Sequence, residues 1–443
     1  MILGALADDL TGGLELAAML AAEGVATRLA TSAEAIGAVA PDAAVVIAQK
    51  TRIAPPAEAR ARVAAGARAL RAAGARRLFF KYCATFDSTP AGNIGPCIDE
   101  LRDLVGSDFT ACCPTFPEYR RTVYQGHLFV GDRLMSESPK RFDPVTPMTD
   151  ADLVRVLAPQ TVRRVGLIGL ETVRSGPDAV QRHRDELRAA GIGCAIADAV
   201  MHEDLRHLAR ATVDWPLMTG GSSVAAHYPA IWRELGWIGR AAADQGLPAV
   251  AGPGVVLAGS CADQTRAQLR EFAASHPLLD LDVEAALQGR DVVGPAIAWA
   301  GERLARGPVA VATSATTDAV ERLQSHWGVA RVAACCEDLL GRIAAGLRAA
   351  GVRRFVIAGG ETSGAVLQHL RVARVVVGPF AGPSLPLALD DSEEPDDRPP
   401  VILCLKSGKL AGLDAFEVAL AAMQRGSRSD AAAGAPPAPG DVQ

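Results

Sequence analysis

The 443 residues contain no G-x-x-x-x-G-K-[ST] loop, no strand-linked G-x-G-x-x-G, no G-x-S-x-G elbow and no H-E-x-x-H pair. Their absence removes the main support for P-loop and dinucleotide-binding Rossmann folds, for hydrolases with a serine elbow, and for helix-borne zinc sites. The nine cysteines include no C-x-x-C pair, and Cys112-Cys113 and Cys335-Cys336 are adjacent, so neither a zinc site nor a disulfide framework is expected. Reduced, mostly buried thiols are the expected state. No stretch reaches the ~20 uncharged apolar residues of a membrane span. The opening Met1-Ile2-Leu3-Gly4-Ala5-Leu6-Ala7 lacks the basic segment of a signal peptide and runs into acidic residues, so it reads as a strand. The cytoplasm is the expected compartment. A net charge of -5 lacks the electrostatic footprint of a nucleic-acid or membrane binder, and no such partner is expected. Local basic residues can still hold a small anion.

What is present describes a globular chain, with 49% apolar and 21% charged residues of both signs intermixed. Its length calls for two domains, or three. Short apolar runs alternate with alanine-rich amphipathic stretches, which predicts an α/β fold of two domains, each with a mainly parallel sheet flanked by helices. Strands are expected at 2–7, 43–48, 78–81, 109–113 and 165–170, and helices at 13–23, 56–73, 93–105 and 177–190. Gly24, Gly74 and Gly191 stand where helix stops belong. Periodicity fades around Gly236–Gly254, so the expectation is a first domain over 1–240 and a linker over 241–254. A second domain over 255–424 takes strands at 255–260, 309–313, 355–358 and 401–405. A disordered tail of Ala, Gly and Pro follows over 425–443.

In an open parallel sheet, ligands bind beyond the carboxyl ends of the strands. In the first half, Asp8-Asp9-Leu10-Thr11-Gly12-Gly13 follows the first strand and opens a helix, a place for an anion or a polyol. A helix cap is the bland alternative, and it needs only one Asp or Thr. Lys81 and the Phe86-Asp87-Ser88-Thr89 stretch offer a cation, a carboxylate and hydroxyls after another strand, against a simple turn-plus-cap reading. Pro114 to His127 reads as a proline-punctuated loop whose Arg120-Arg121 pair can grip a carboxylate, although such pairs are often solvated surface, and His127 reads as structural. In the second half, Gly259-Ser260-Cys261-Ala262-Asp263, Gly359-Gly360-Glu361-Thr362-Ser363-Gly364 and Lys406-Ser407-Gly408-Lys409 each follow a strand. Three glycine-bearing turns in one domain point to a polyphosphate ligand.

Taken in order, these loops resemble the four-carbon acid sugar kinases over about residues 1 to 424. The motifs are Ala7-Asp8-Asp9-Leu10-Thr11-Gly12, Lys81 to Thr89, Arg121 to Val130, Thr146-Pro147-Met148-Thr149-Asp150, Thr219-Gly220-Gly221-Ser222-Ser223, Gly359 to Gly364 and Lys406-Ser407-Gly408. The Tyr124 to Val130 run is most similar to the 3-oxo-tetronate kinases. The resemblance implies a sugar-acid-binding first domain, a nucleotide-binding second domain, and transfer of the ATP γ-phosphate to the terminal hydroxyl of a tetronate, with Mg²⁺ on the phosphates. It assigns substrate contacts to Asp8, Asp9, Thr11, Lys81, Asp87, Ser88 and Arg121, and nucleotide contacts to Ser260, Gly359, Gly360, Glu361, Thr362, Ser363 and Gly408. Three stretches depart from the family pattern, namely Tyr119-Arg120-Arg121-Thr122, Asp143 to Met148, and Lys406 to Ala411.

Phosphoryl transfer needs positioning, cations on the phosphates and a carboxylate for the hydroxyl proton. Asp8 or Asp9 is the expected catalytic base, with Lys81 and Arg121 on the substrate carboxylate. Two other readings compete. One is a sugar-acid isomerase or aldolase with the Asp pair as base. The other is a non-catalytic binding protein. A homodimer is entertained for the assembly.

Overall fold

The computed structural model describes residues 1–143, 145–239, 246–392 and 399–426, and the chain divides into two compact units, Met1–Ala241 and Ala242–Gln443. Residues 241–245 of the expected linker and 427–443 of the expected tail lie outside the described residues.

In the first unit the strands are, in chain order, β1 (Leu3–Ala7), β2 (Thr27–Ala30), β3 (Ala44–Ala48), β4 (Leu78–Lys81), β5 (Thr110–Cys113), β6 (Arg121–Tyr124), β7 (His127–Val130), β8 (Arg133–Leu134), β9 (Arg164–Ile168), β10 (Ile192–Ala197) and β11 (Leu217–Gly220). The main sheet runs β2-β3-β1-β4-β11-β5-β10-β9, and all its pairings are parallel. Such a sheet is covered on both faces, which is why β1, β3, β4, β5 and β11 are buried at every position and why β1 and β3 read as unbroken apolar runs. Helices Pro56–Ala72 and Ile94–Val105 cover one face, packing Val63, Leu70, Ile98 and Leu101 with Leu6, Ile47 and Phe80. Gly24, Gly74 and Gly191 follow the last residues of their helices with φ of 73°, 90° and 76°, the left-handed turn that glycine makes without strain.

Two local expectations are corrected. The segment read as a loop from Pro114 to His127 contains β6, which forms an antiparallel sheet with β7 and β8. Val123 and Leu128 face each other across its hairpin and are fully buried, so two apolar side chains fix a sheet too short to show periodicity. The first helix begins at Leu10 and not at Gly13, which turns Asp9 into its cap.

In the second unit the strands are β12 (Gly254–Ala258), β13 (Leu278–Asp280), β14 (Val309–Ala312), β15 (Arg354–Ala358), β16 (Arg374–Phe380), β17 (Pro386–Asp390) and β18 (Ile402–Lys406). Their order is β13-β14-β12-β15-β18-β17-β16, parallel as far as β18 and antiparallel beyond it. The last helix, Ala415–Arg425, packs Phe416, Leu420 and Met423 onto this sheet. No helix among the described residues is long and apolar enough to cross a membrane.

Candidate active site

Strands β3, β1 and β4 are adjacent, and Ala7 is in register with Ala48 on one side and Lys81 on the other. The segments that leave their carboxyl ends therefore start level with one another. Asp9 caps the helix Leu10–Ala22, accepting the Gly12 N–H at 3.0 Å and the Thr11 hydroxyl at 2.8 Å. Arg52, four residues beyond β3, donates through Nε and Nη2 to both oxygens of Asp8 at 2.8 and 2.9 Å. Its Nη2 also lies 2.9 Å from Asp9 Oδ1. Lys81 Nζ approaches the same oxygen at 3.9 Å. A Cβ on Gly12 would stand 1.9 Å from that ammonium and 2.4 Å from Asp9 Oδ1, so only glycine lets Lys81 cross the first helical turn.

The electrostatics follow from burial opposed by pairing. Burial pushes the Asp9 carboxyl up, but Arg52, then Lys81, Thr11 and Gly12 outweigh it and hold the pKa below its ordinary value. Burial pulls Lys81 down, and Asp9, Glu15 and Asp8 overcome it, so the ammonium is held above its ordinary value. Glu15 goes the other way. Burial raises its carboxyl, and Lys81 with the 2.6 Å hydrogen bond from the Ser222 hydroxyl offset only part of that.

Asp87 sits apart from this cluster, in a loop where Phe86 and Asp87 have φ of 62° and 25°, a costly backbone for such residues. Its carboxylate accepts the Thr85 hydroxyl at 2.7 Å and pairs with Lys140 at 2.8 Å. Burial raises its pKa, and Lys140, with Arg52 and the Thr85 hydroxyl, more than reverses the effect. Ser88 is buried and donates to Gln160 Oε1 at 3.0 Å, which commits its hydroxyl to a neighbouring segment. Arg121 opens β6 and donates to the Tyr119 carbonyl; among the described residues no carboxylate lies within ion-pair distance of it. Burial pulls its pKa down, with Cys83, Tyr119 and Asp87 opposing.

Arg52 and Lys140 are the residues that sequence reasoning missed. The one signal for Arg52 was its position just beyond a strand that neighbours β1. Lys140 gave none, since its partner lies 53 positions earlier in a loop.

In the second unit, Ala258, Ala358 and Lys406 are in register across β12, β15 and β18, which brings the three glycine-bearing turns side by side. A Cβ on Gly408 would meet Ser260 Oγ at 2.1 Å, and one on Gly259 would meet Thr362 Oγ1 at 2.1 Å. Gly359 has a φ of 129° and caps the helix Gly360–His369, where Glu361 stands in the first turn and Ser363 is buried, its hydroxyl on the Gly359 carbonyl at 2.7 Å. Thr265 fixes the third turn through the Gly408 carbonyl at 2.7 Å. Ser260 thus adjoins both Gly359 and Gly408, Thr362 adjoins Gly259 and Gly359, and the N-terminus of a helix opens beside them, a setting for phosphate oxygens. Among the described residues no group of three or more His, Cys, Asp or Glu is placed to hold a metal ion.

Residues 3–228 match the family of sugar-binding N-terminal domains, and residues 255–416 match the family of nucleotide-binding C-terminal domains. A Burkholderia multivorans protein named 3-oxo-tetronate kinase is 44% identical over 422 residues, 95% of this chain and 97% of its own. Its namesake in Escherichia coli K12 is 37% identical over 388 residues, 86% of this chain and 98% of its own. The crystal structure of a Haemophilus influenzae protein superposes with a TM-score of 0.78 at 34% identity, covering 95% of this chain and all of that one. A Salmonella typhimurium LT2 structure gives a TM-score of 0.82 at 33% identity, over 94% of this chain and 98% of that one. With both halves matched and relatives aligned almost end to end, the chain belongs to the four-carbon acid sugar kinase family.

Proposed function

We propose that the protein transfers the γ-phosphate of ATP to the terminal hydroxyl of a four-carbon sugar acid, a 3-oxo-tetronate or a threonate- or erythronate-type acid. The observation that carries this reading is the Asp8–Arg52–Asp9–Lys81 cluster at the carboxyl ends of β1, β3 and β4. A hydroxyl-bearing acceptor suits it, because carboxylates there accept hydroxyl protons and would repel a triphosphate.

Within the cluster the two aspartates divide the work. Asp8 has both oxygens on one guanidinium and a side chain only 6% exposed, so it positions Arg52. Asp9 is 26% exposed and faces the acceptor hydroxyl, orienting it and taking its proton as the bond to phosphorus forms. A carboxylate held below its ordinary pKa is a weak base, which suffices where the transition state is loose and the proton leaves late. Lys81 and Arg121 take the substrate carboxylate, and Thr11, Asp87 and Ser88 shape its surroundings.

On the donor side, Ser260, Gly359, Gly360, Glu361, Thr362, Ser363 and Gly408 line the nucleotide site, with the glycine N–H groups on phosphate oxygens. Among its described residues the unit offers hydroxyls and backbone N–H groups and no carboxylate cage, which fits a Mg²⁺ that arrives on the phosphates of ATP. The ion supplies charge neutralisation there. The domain limits 1–240 and 255–424 with a linker between them, a cytoplasmic location and a homodimer complete the proposal.

The test is ADP release with ATP-Mg²⁺ across a panel of tetronates and 3-oxo-tetronates. Acid-dependent ADP from at least one of them is the expected result. Conversion of the acid without ATP would favour an isomerase or aldolase, and ligand binding with no turnover would favour a non-catalytic protein.

A further inference from the structure

Lys406 is the last residue of β18 and has no solvent exposure. Its ammonium donates to the Ser407 carbonyl at 2.5 Å, and among the described residues no carboxylate lies within ion-pair distance. Buried charges in folded proteins are paired or bind an ion, because desolvation otherwise makes them costly. Burial has already pushed this amine down to about 8, and the Cys404 thiol, two residues back on the same strand face, offsets only part of that.

The place of this residue gives the cation a purpose. Lys406 is in register with Ala358, and Ala358 with Ala258, so its backbone is level with the starts of the Gly259-Ser260 and Gly359-Gly360 turns. Its carbonyl accepts the Gly359 N–H at 3.0 Å, which joins the two turns directly. Two residues on, Gly408 abuts Ser260 so closely that a Cβ would overlap its hydroxyl. Lys406 thus ends its strand at the edge of three glycine-bearing turns, its backbone bonded to the residue that caps the helix Gly360–His369, and its buried ammonium has only the Ser407 carbonyl of the third turn as a hydrogen-bond partner among the described residues. A phosphate chain is the counter-ion that such a setting lacks.

We propose that Lys406 is the cation that engages the polyphosphate chain of the bound nucleotide and so distinguishes di- and triphosphates from a nucleoside or its monophosphate. The proposal deepens the nucleotide-binding reading of the second unit and rests on it. The ammonium exchanges the Ser407 carbonyl for phosphate oxygens, and no covalent step is involved.

Isothermal titration of the full chain with MgATP, MgADP, AMP and adenosine tests this for wild type, Lys406→Met and Lys406→Gln, with unfolding of the unliganded proteins measured alongside. Loss of a charge-assisted contact predicts that both variants bind MgATP and MgADP about 10- to 100-fold more weakly, with AMP and adenosine changed by no more than about twofold. Equal MgATP affinity in wild type and either folded variant overturns the proposal. So does a loss spread evenly over all four ligands, since it would assign Lys406 a structural role. A wild type that binds none of the four overturns the nucleotide-binding reading beneath it.

Discussion

At the scale of single residues, Arg52 holds two carboxylates with one guanidinium, and one of them, Asp8, is buried. Removing the cation leaves that charge without compensation. Arg52→Met should therefore cost about 3 kcal/mol in urea unfolding, in the range for breaking a buried pair. The double variant Arg52→Met/Asp8→Leu should regain most of that stability while ADP release falls well below that of the wild type, because Asp9 loses the nearer of its two cations. A second residue carries a pH signature. Burial, followed by His202 and Arg206, pushes His227 down to about 4 from an ordinary 6.5. The unfolded chain takes up its proton near pH 6.5 and the folded chain resists until about 4, so the contribution of His227 is intact above 6.5 and declines as pH falls through that window. The decline amounts to about 3 kcal/mol at most. Denaturation series at pH 7 and 4.5 should show it, and His227→Gln should flatten the difference.

At the scale of elements, the first helical turn is built around the absence of a side chain at Gly12. Gly12→Ala would displace the Lys81 ammonium, which is flexible enough to move aside, so the fold should survive with about 1–2 kcal/mol lost. With Lys81 away from Asp9, kcat/KM should fall by about 100-fold, a loss of about 2.7 kcal/mol in transition-state binding. Circular dichroism and steady-state assays separate the two effects. The same element shows where sequence is legible. The runs Leu3–Ala7, Ala44–Ala48 and, in β4, residues 78–80 announce themselves because a doubly covered parallel strand is apolar along its buried length. The glycines after the helices are equally plain, since few other residues adopt a positive φ without strain. Strand β6 and the antiparallel pair β16–β17 do not show in this way; the first is four residues long and fixed by a cross-strand contact, and the second depends on pairing with β18. Among site residues, Asp8, Asp9 and Lys81 were visible from their places at strand ends. Arg52 and Lys140 find their partners only through tertiary geometry, and the commitment of Ser88 to Gln160, 72 positions away, has no local trace.

At the scale of the whole molecule, the proposal gives each unit a ligand of its own, and each ligand should stabilise the chain by itself. At about 100 times its dissociation constant, a ligand raises stability by about 2.7 kcal/mol. Thermal shift with the sugar acid should disappear in Asp9→Asn while the shift with MgATP persists, and Gly408→Ala should show the converse, because its Cβ would strike Ser260 Oγ. Loss of both shifts in either variant would argue against independent sites. The acid-binding unit has one more consequence, which concerns what it rejects. Asp8 and Asp9 pair with Arg52 and Lys81, and Asp87 shares Lys140 with Asp143, so each of these cations is already met by carboxylates of the chain itself. Among the described residues of the proposed acid site, Arg121 is the cation with no carboxylate within ion-pair distance. With Lys81 already drawn to Asp9, preference for an acid over the corresponding uncharged polyol then falls mainly to the Arg121 guanidinium, so it should weaken with rising ionic strength and drop sharply in Arg121→Met, leaving a kinase that separates tetronate from tetritol only weakly.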